Sequence, residues 1–224
     1  MRSWSPAIPI VVALGVSAAL YPQLPPDVLA AVHARLPMLP AGRESPMPPI
    51  AAALLVPGIA VLVWAILAWG ARLRAPRRGF PAWLVSEMTD ANAVGRFTST
   101  YHTITFAVVA GVVLVHFAIL GLATGWPVWA FQLLTATLGT LMLVGGNVVP
   151  RVRPNWIVGI RTKGTLASAE VWTRTHRYLG AFTMVVGALV IAAAAVSVWW
   201  ALGVAIAGNL AALPAAHILG MRRG

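Results

Sequence analysis

GNVVPRVRPNWIVGIRTKGTLASAEVWTRTHRYLG, residues 146–180, is a long polar interval between two apolar runs. It holds six Lys/Arg, two prolines, two asparagines, one histidine and two tryptophans. It cannot lie in hydrocarbon, because six cations at about 3 kcal/mol each would cost roughly 15–20 kcal/mol at a bilayer centre. The uncharged runs on either side are each long enough to cross that hydrocarbon as a helix. The interval is therefore the loop of a membrane protein, and its ends mark where two spans stop.

The rest of the composition agrees. Of 224 residues, 59% are hydrophobic and 9% charged, and mean hydropathy is +0.83. A soluble domain has about a quarter of its residues charged, so lipid must be the solvent over much of this surface. A net charge of +11 could suggest nucleic acid. The basic residues lie between apolar runs, however, so direct nucleic-acid binding is not expected. The chain has no cysteine, which excludes disulfides, thiolate metal sites and cysteine nucleophiles.

Apolar runs predict spans over Ile8–Leu20 (short), Ile50–Ala71, Ile104–Ala123, Pro127–Val148, Leu179–Val198 and Trp199–Leu219. All must be helices, since lipid offers no partner to an unpaired backbone group. The last two share one long uncharged run, with the break expected near Ser197–Trp200. With the N-terminus inside, 14 of the 16 Lys+Arg fall on the cytoplasmic side and only Arg35 and Arg43 outside. The expected fold is thus an all-α integral membrane protein with six spans, both termini inside, and a structured cytoplasmic loop between the fourth and fifth. Residues 1–103 form an N-terminal half and 104–224 a second half that contains the polar interval. Arg2, a short apolar run and Val16-Ser17-Ala18 also fit a cleaved signal peptide, a reading that leaves the later topology unchanged.

The loops differ in character. Pro22 to Pro49 is proline-rich, which predicts an extended or turn-rich segment rather than a folded domain. It reads as a stiff connector or as a contact surface for something arriving from outside. The first inside loop opens RLRAPRRG, a topology determinant and anchor for anionic lipid. TDANAVGRFTSTYH then predicts a short interfacial helix capped by Thr89 or Asp90. In the second inside loop, Gly145, Gly146 and Asn147 should loosen the end of the fourth helix, and Pro150 and Pro154 forbid its continuation. Thr165 or Ser168 can cap a new helix with Glu170 in its first turns. Glu170 and Arg174 are spaced to pair, and Trp172 and His176 share a face. A bare connector needs far fewer residues. The apolar Trp156, Ile157, Val158 and Ile160 should therefore dip into the interface or pack on the bundle, holding Arg161 in place.

Chemistry inside the bundle looks sparse. No Asp, Glu, Lys or Arg lies well within a span, so neither an intramembrane enzyme nor a charged relay is expected. His116 is the buried exception, either a proton relay or a structural histidine with Thr135, Thr137 or Thr140 as partner. Gln132 and Asn209 are expected to stitch helices together. His33, His102, His116, His176 and His217 are scattered, so neither a metal nor any other cofactor is expected.

The pattern GN-x-x-P-x-x-x-PN-x-x-x-GIRT-x-x-TL-x-S-x-x-VW-x-x-TH-R-x-x-G resembles the signature of the bacterial immunity proteins for the sporulation-delaying toxin. It is carried by Gly146, Asn147, Pro150, Pro154, Asn155, Gly159, Ile160, Arg161, Thr162, Thr165, Leu166, Ser168, Val171, Trp172, Thr175, His176, Arg177 and Gly180. The chain departs from many relatives at Lys163-Gly164. In YPQLPPDVLAAVHARLPMLPAG it keeps the prolines and His33 but lacks a Gly-x-x-Asp element. The resemblance implies a six-span protein of the bacterial cytoplasmic membrane that confers immunity to a secreted peptide toxin or signals through a cytoplasmic transcriptional repressor. Partners would be anionic lipid, a peptide toxin and that repressor. The expected site is Arg161 binding an anionic group, with Gly159, Thr162 and Lys163 beside it, Asn155 and Thr165 fixing the turn, and Trp172 and His176 as its wall. A small transporter or exporter, and a structural lipid-binding protein, are the alternatives.

Overall fold

A computed structural model describes residues 5–36, 46–70, 91–154 and 158–222. Those residues are helical with no strand: α1 (Ala7–Leu20), α2 (Val28–Arg35), α3 (Pro49–Gly70), α4 (Ala91–Thr124), α5 (Val128–Val148), α6 (Ala169–Val196) and α7 (Val198–Met221). Helices α3 to α7 are long and apolar enough to cross a membrane. Helix α1, with 14 residues, spans about 21 Å at 1.5 Å per residue, short of a hydrocarbon core of about 30 Å. It joins α2 through a 90° bend, and the pair counts as a sixth span only if the two are taken together.

Local chemistry sets the ends. Pro127 precedes α5, where a missing N–H costs nothing. Ser197 alone separates α6 from α7, in extended conformation, and its Oγ accepts from Trp199 N–H. The break therefore falls within the window expected. The proline-rich segment departs from expectation. Asp27 caps α2 by accepting from Leu29 and Ala30 N–H at 3.1 Å, and VLAAVHAR after it has no proline to break the turn. Asp27 also accepts from Met47 N–H at 3.3 Å, and Val28 N–H donates to Met47 O, closing this segment at its base. Arg35 reaches the Leu122 and Ala123 carbonyls at the end of α4, favourable for a cation at a helix C-terminus. The separate interfacial helix expected before the third span is instead continuous with α4. Its expected caps Thr89 and Asp90, and the RLRAPRRG stretch, lie outside the described residues.

Each long helix packs mainly on its neighbours in sequence. In the N-terminal part α1, α3 and α4 share a core of Ile10, Ala13, Ala60, Val109 and Val113, and Tyr101 O–H donates to Leu67 O at 2.6 Å. In the C-terminal part α6 lies between α5 and α7, with Val186, Val190 and Ala194 against Ala201 and Ala205. Helices α5 and α6 come unusually close. A Cβ on Gly139 would stand 2.7 Å from Gly187 O, and one on Gly180 would stand 2.5 Å from Gly146 O. Both contacts need hydrogen as the side chain. Gly146 was expected to loosen the helix end; it sits instead inside α5 as a buried crossing residue.

The expected helix stitches divide. Gln132 Nε2 donates to Ala195 O on α6 at 3.4 Å, but Asn209 Nδ2 donates to Ala205 O on its own helix. Thr135, Thr137 and Thr140 likewise donate to carbonyls one turn back. None partners His116, which pairs with Ser17 of α1 at 2.7 Å. A threonine in a helix spends its one donor proton locally, and the partner of His116 is a serine on a different helix.

Candidate functional site

The signature loop is built around two buried rings. After α5 the chain makes a 3-10 turn, Val149–Arg151, which Pro150 enters without an N–H to continue the α-helix. Val152 O then accepts from Trp172 Nε1 at 2.8 Å, so the loop's entry is tied to the second turn of α6. Trp172 is fully buried and stacks on His176, with centroids 4.1 Å apart and planes 23° apart. The shared face expected from their four-residue spacing is real.

His176 fixes the middle of the loop. Ile160 N–H donates to His176 Nε2 at 3.1 Å, and His176 Nδ1 lies 2.8 Å from Trp172 O. An N–H pointing at Nε2 requires that nitrogen to be the acceptor, so the proton sits on Nδ1 and is given to the Trp172 carbonyl. Gly159, at φ 115°, turns the chain so that this bond forms. A Cβ there would also run into His176 Nε2.

Thr165 closes the turn that follows. Its Oγ1 accepts from Thr162 N–H at 2.9 Å and donates to Ile160 O at 2.7 Å, while Thr165 N–H donates to Thr162 Oγ1 at 3.2 Å. The hydroxyl is fully buried. Thr165→Val keeps the shape but leaves the Thr162 N–H and the Ile160 carbonyl short of a partner. The expected cost is about 1–3 kcal/mol, read as faster amide exchange at Thr162, with Thr165→Ser restoring protection.

Ser168 is the N-cap of α6, its Oγ accepting from Val171 N–H at 3.2 Å. Of the two caps considered, Thr165 makes the turn and Ser168 starts the helix. Glu170 lies in the first turn and pairs with Arg174 at 3.5 Å. Glu170 is exposed and Arg174 half-buried, so solvent screens the pair, which contributes a few tenths of a kcal/mol at most. Arg174 does more with its Nε, which donates to Gly220 O near the end of α7 at 2.9 Å. A Cβ at Gly220 would strike Thr175 Oγ1, and one at Gly164 would meet Met221. Loop, start of α6 and end of α7 are thus packed together, a junction the sequence did not disclose.

The remaining expected residues fall at the rim or beyond. Asn147 is exposed on the last turn of α5, Pro154 is buried, and Arg177 points outward. Thr175 is buried with no hydrogen-bond partner for its hydroxyl among the described residues. Asn155, Trp156 and Ile157 lie outside the described residues; Val158 and Ile160 are half-buried. Arg161 and Lys163 keep much of their surface exposed. Burial of part of the guanidinium lowers the Arg161 pKa from its ordinary value, and at neutral pH it stays a cation. Among the described residues no group of His, Asp and Glu is placed to hold a metal.

Some of the residues that matter were missed. Val152 acts through its carbonyl, which no side-chain motif announces, and Gly220 through having no side chain. Neither a curated protein nor a solved structure matches the chain. Residues 151–217 do match the model of the SdpI/YfhL protein family, the family that the motif in this segment resembles.

Proposed function

We propose that the chain is a six-span protein of the bacterial cytoplasmic membrane that confers immunity to a secreted peptide toxin, by binding the toxin or a cytoplasmic regulator. The orientation has both termini inside. It puts 14 of the 16 Lys+Arg on the cytoplasmic side and counts the bent α1–α2 pair as the first span. The family match over residues 151–217 supports the immunity class.

One observation carries the site. Arg161 stands between Ile160, whose N–H and carbonyl are held by His176 and Thr165, and Thr162, whose N–H is held by Thr165. The backbone on both sides of one exposed cation is fixed by buried side chains. A charge that served only topology would need no such support, whereas one that reads an anionic group gains from pre-organisation. The group it would read is a carboxylate cluster of a partner protein or a lipid phosphate.

The test is survival of a sensitive bacterium carrying this chain when challenged with sporulation-delaying-type peptide toxins. Protection relative to an empty vector is expected. Equal killing, with the protein present in the membrane, overturns the immunity reading.

A further inference from the structure

A second polar cluster lies far from the signature loop, inside the N-terminal helices. Pro57 interrupts α3 and has no N–H to give Ala53 O its helical bond. Ser17 of α1 donates to that carbonyl instead, at 3.0 Å. A serine has one hydroxyl proton, so its contact with His116 Nε2 at 2.7 Å is made with the serine oxygen as acceptor. Nε2 therefore carries the proton, and Nδ1 presents a lone pair. His116 is fully buried, and Nδ1 has no hydrogen-bond partner among the described residues. An unpaired basic nitrogen in such a place is an open acceptor.

Its surroundings are asymmetric. On one side lie the apolar residues of α1, α3 and α4, including Ala13, Val109 and Val113. On the other, one turn beyond His116, Leu120 packs with Ala52 and with Leu24, Val28 and Val32 of the α2 segment. That segment is a thin cap. It is fastened by Arg35 on the α4 carbonyls and by Asp27 on Met47.

We propose that His116 is a buried proton-binding site and that its occupancy releases the α2 cap. Acid delivers a proton to Nδ1, and the ring becomes a cation whose one hydrogen-bond partner among the described residues is Ser17, itself engaged with the Ala53 carbonyl. A buried unpaired charge is strongly unfavourable, and water reaches it most directly by displacing the cap. The charged and titratable groups of the cap itself are Asp27, His33 and Arg35. Asp27 and Arg35 are held as described, and His33 is half-exposed, so its substitution is the control for His116.

The chain has no native cysteine, so single reporters are clean. Val28→Cys, buried under the cap, and Ala30→Cys, exposed on it, are labelled with a maleimide in detergent, and the ratio of their rates removes the intrinsic pH dependence of the thiol. The ratio is expected to rise about tenfold or more from about pH 7.5 to about pH 5. His116→Asn and His116→Gln should each flatten it, and His33→Gln should leave the rise intact. A flat ratio with His116 present overturns the proposal without recourse to any variant at that position. A rise that survives loss of His116, or disappears with His33, also overturns it.

Discussion

Gly180→Ala is expected to destabilise the protein on the order of 3 kcal/mol, at the upper end of overpacking costs, while Gly145→Ala leaves it nearly unchanged. The added methyl at Gly180 would stand 2.5 Å from Gly146 O and 2.6 Å from Pro150 Cδ. These are backbone and ring atoms, so no rotamer change relieves the clash, and α6 must move off α5. Helices in lipid associate through close packing of this kind rather than through the hydrophobic effect. The spacing adds to the effect: Gly139 and Gly146 on α5 meet Gly187 and Gly180 on α6, seven residues apart on each, so separating one pair strains the other. Gly145 has nothing within 4 Å of a Cβ. Thermal unfolding in detergent checks the contrast. Equal melting temperatures for the two variants would mean that the crossing is looser than described.

Trp172→Ala is expected to free the signature loop. The indole is 1% exposed, and truncating a buried Trp costs about 3–5 kcal/mol. It also removes the stack that backs His176 and the donor to Val152 O. Because His176 in turn holds Ile160, the loss spreads to the backbone beside Arg161. Proteolysis between residues 158 and 168 should become rapid in Trp172→Ala. Trp172→Phe, which keeps most of the packing and loses the single hydrogen bond, should cost about 1 kcal/mol and stay resistant. Resistance in both would show that the loop is held from elsewhere.

Much of this architecture was legible because it is local. Pro127, Ser168 and Ser197 mark helix ends through bonds made within three residues. The Trp172–His176 stack and the Glu170–Arg174 pair follow from four-residue spacing on one helix. What was not legible depends on register between segments distant in sequence. The Ser17–His116 bond joins residues 99 apart, and the glycine pairs declare themselves only once α5 and α6 are set antiparallel. The helix inside the proline-rich segment is an intermediate case. Asp27 was not read as a cap, and proline content outweighed the eight proline-free residues after it. Arg161 was singled out by the apolar residues before it and by the motif; what the fold adds is the set of buried side chains on either side of it.

The proposed site requires Arg161 to act as an individual contact rather than as one of many positive charges. The most direct measurement is toxin survival with Arg161→Ala beside Arg151→Ala and Arg222→Ala, at membrane levels matched by immunoblot. Loss of protection in Arg161→Ala alone, with its membrane level unchanged, is the predicted result. Protection by Arg161→Ala equal to that of the unaltered chain, or the same partial loss in all three, would contradict it.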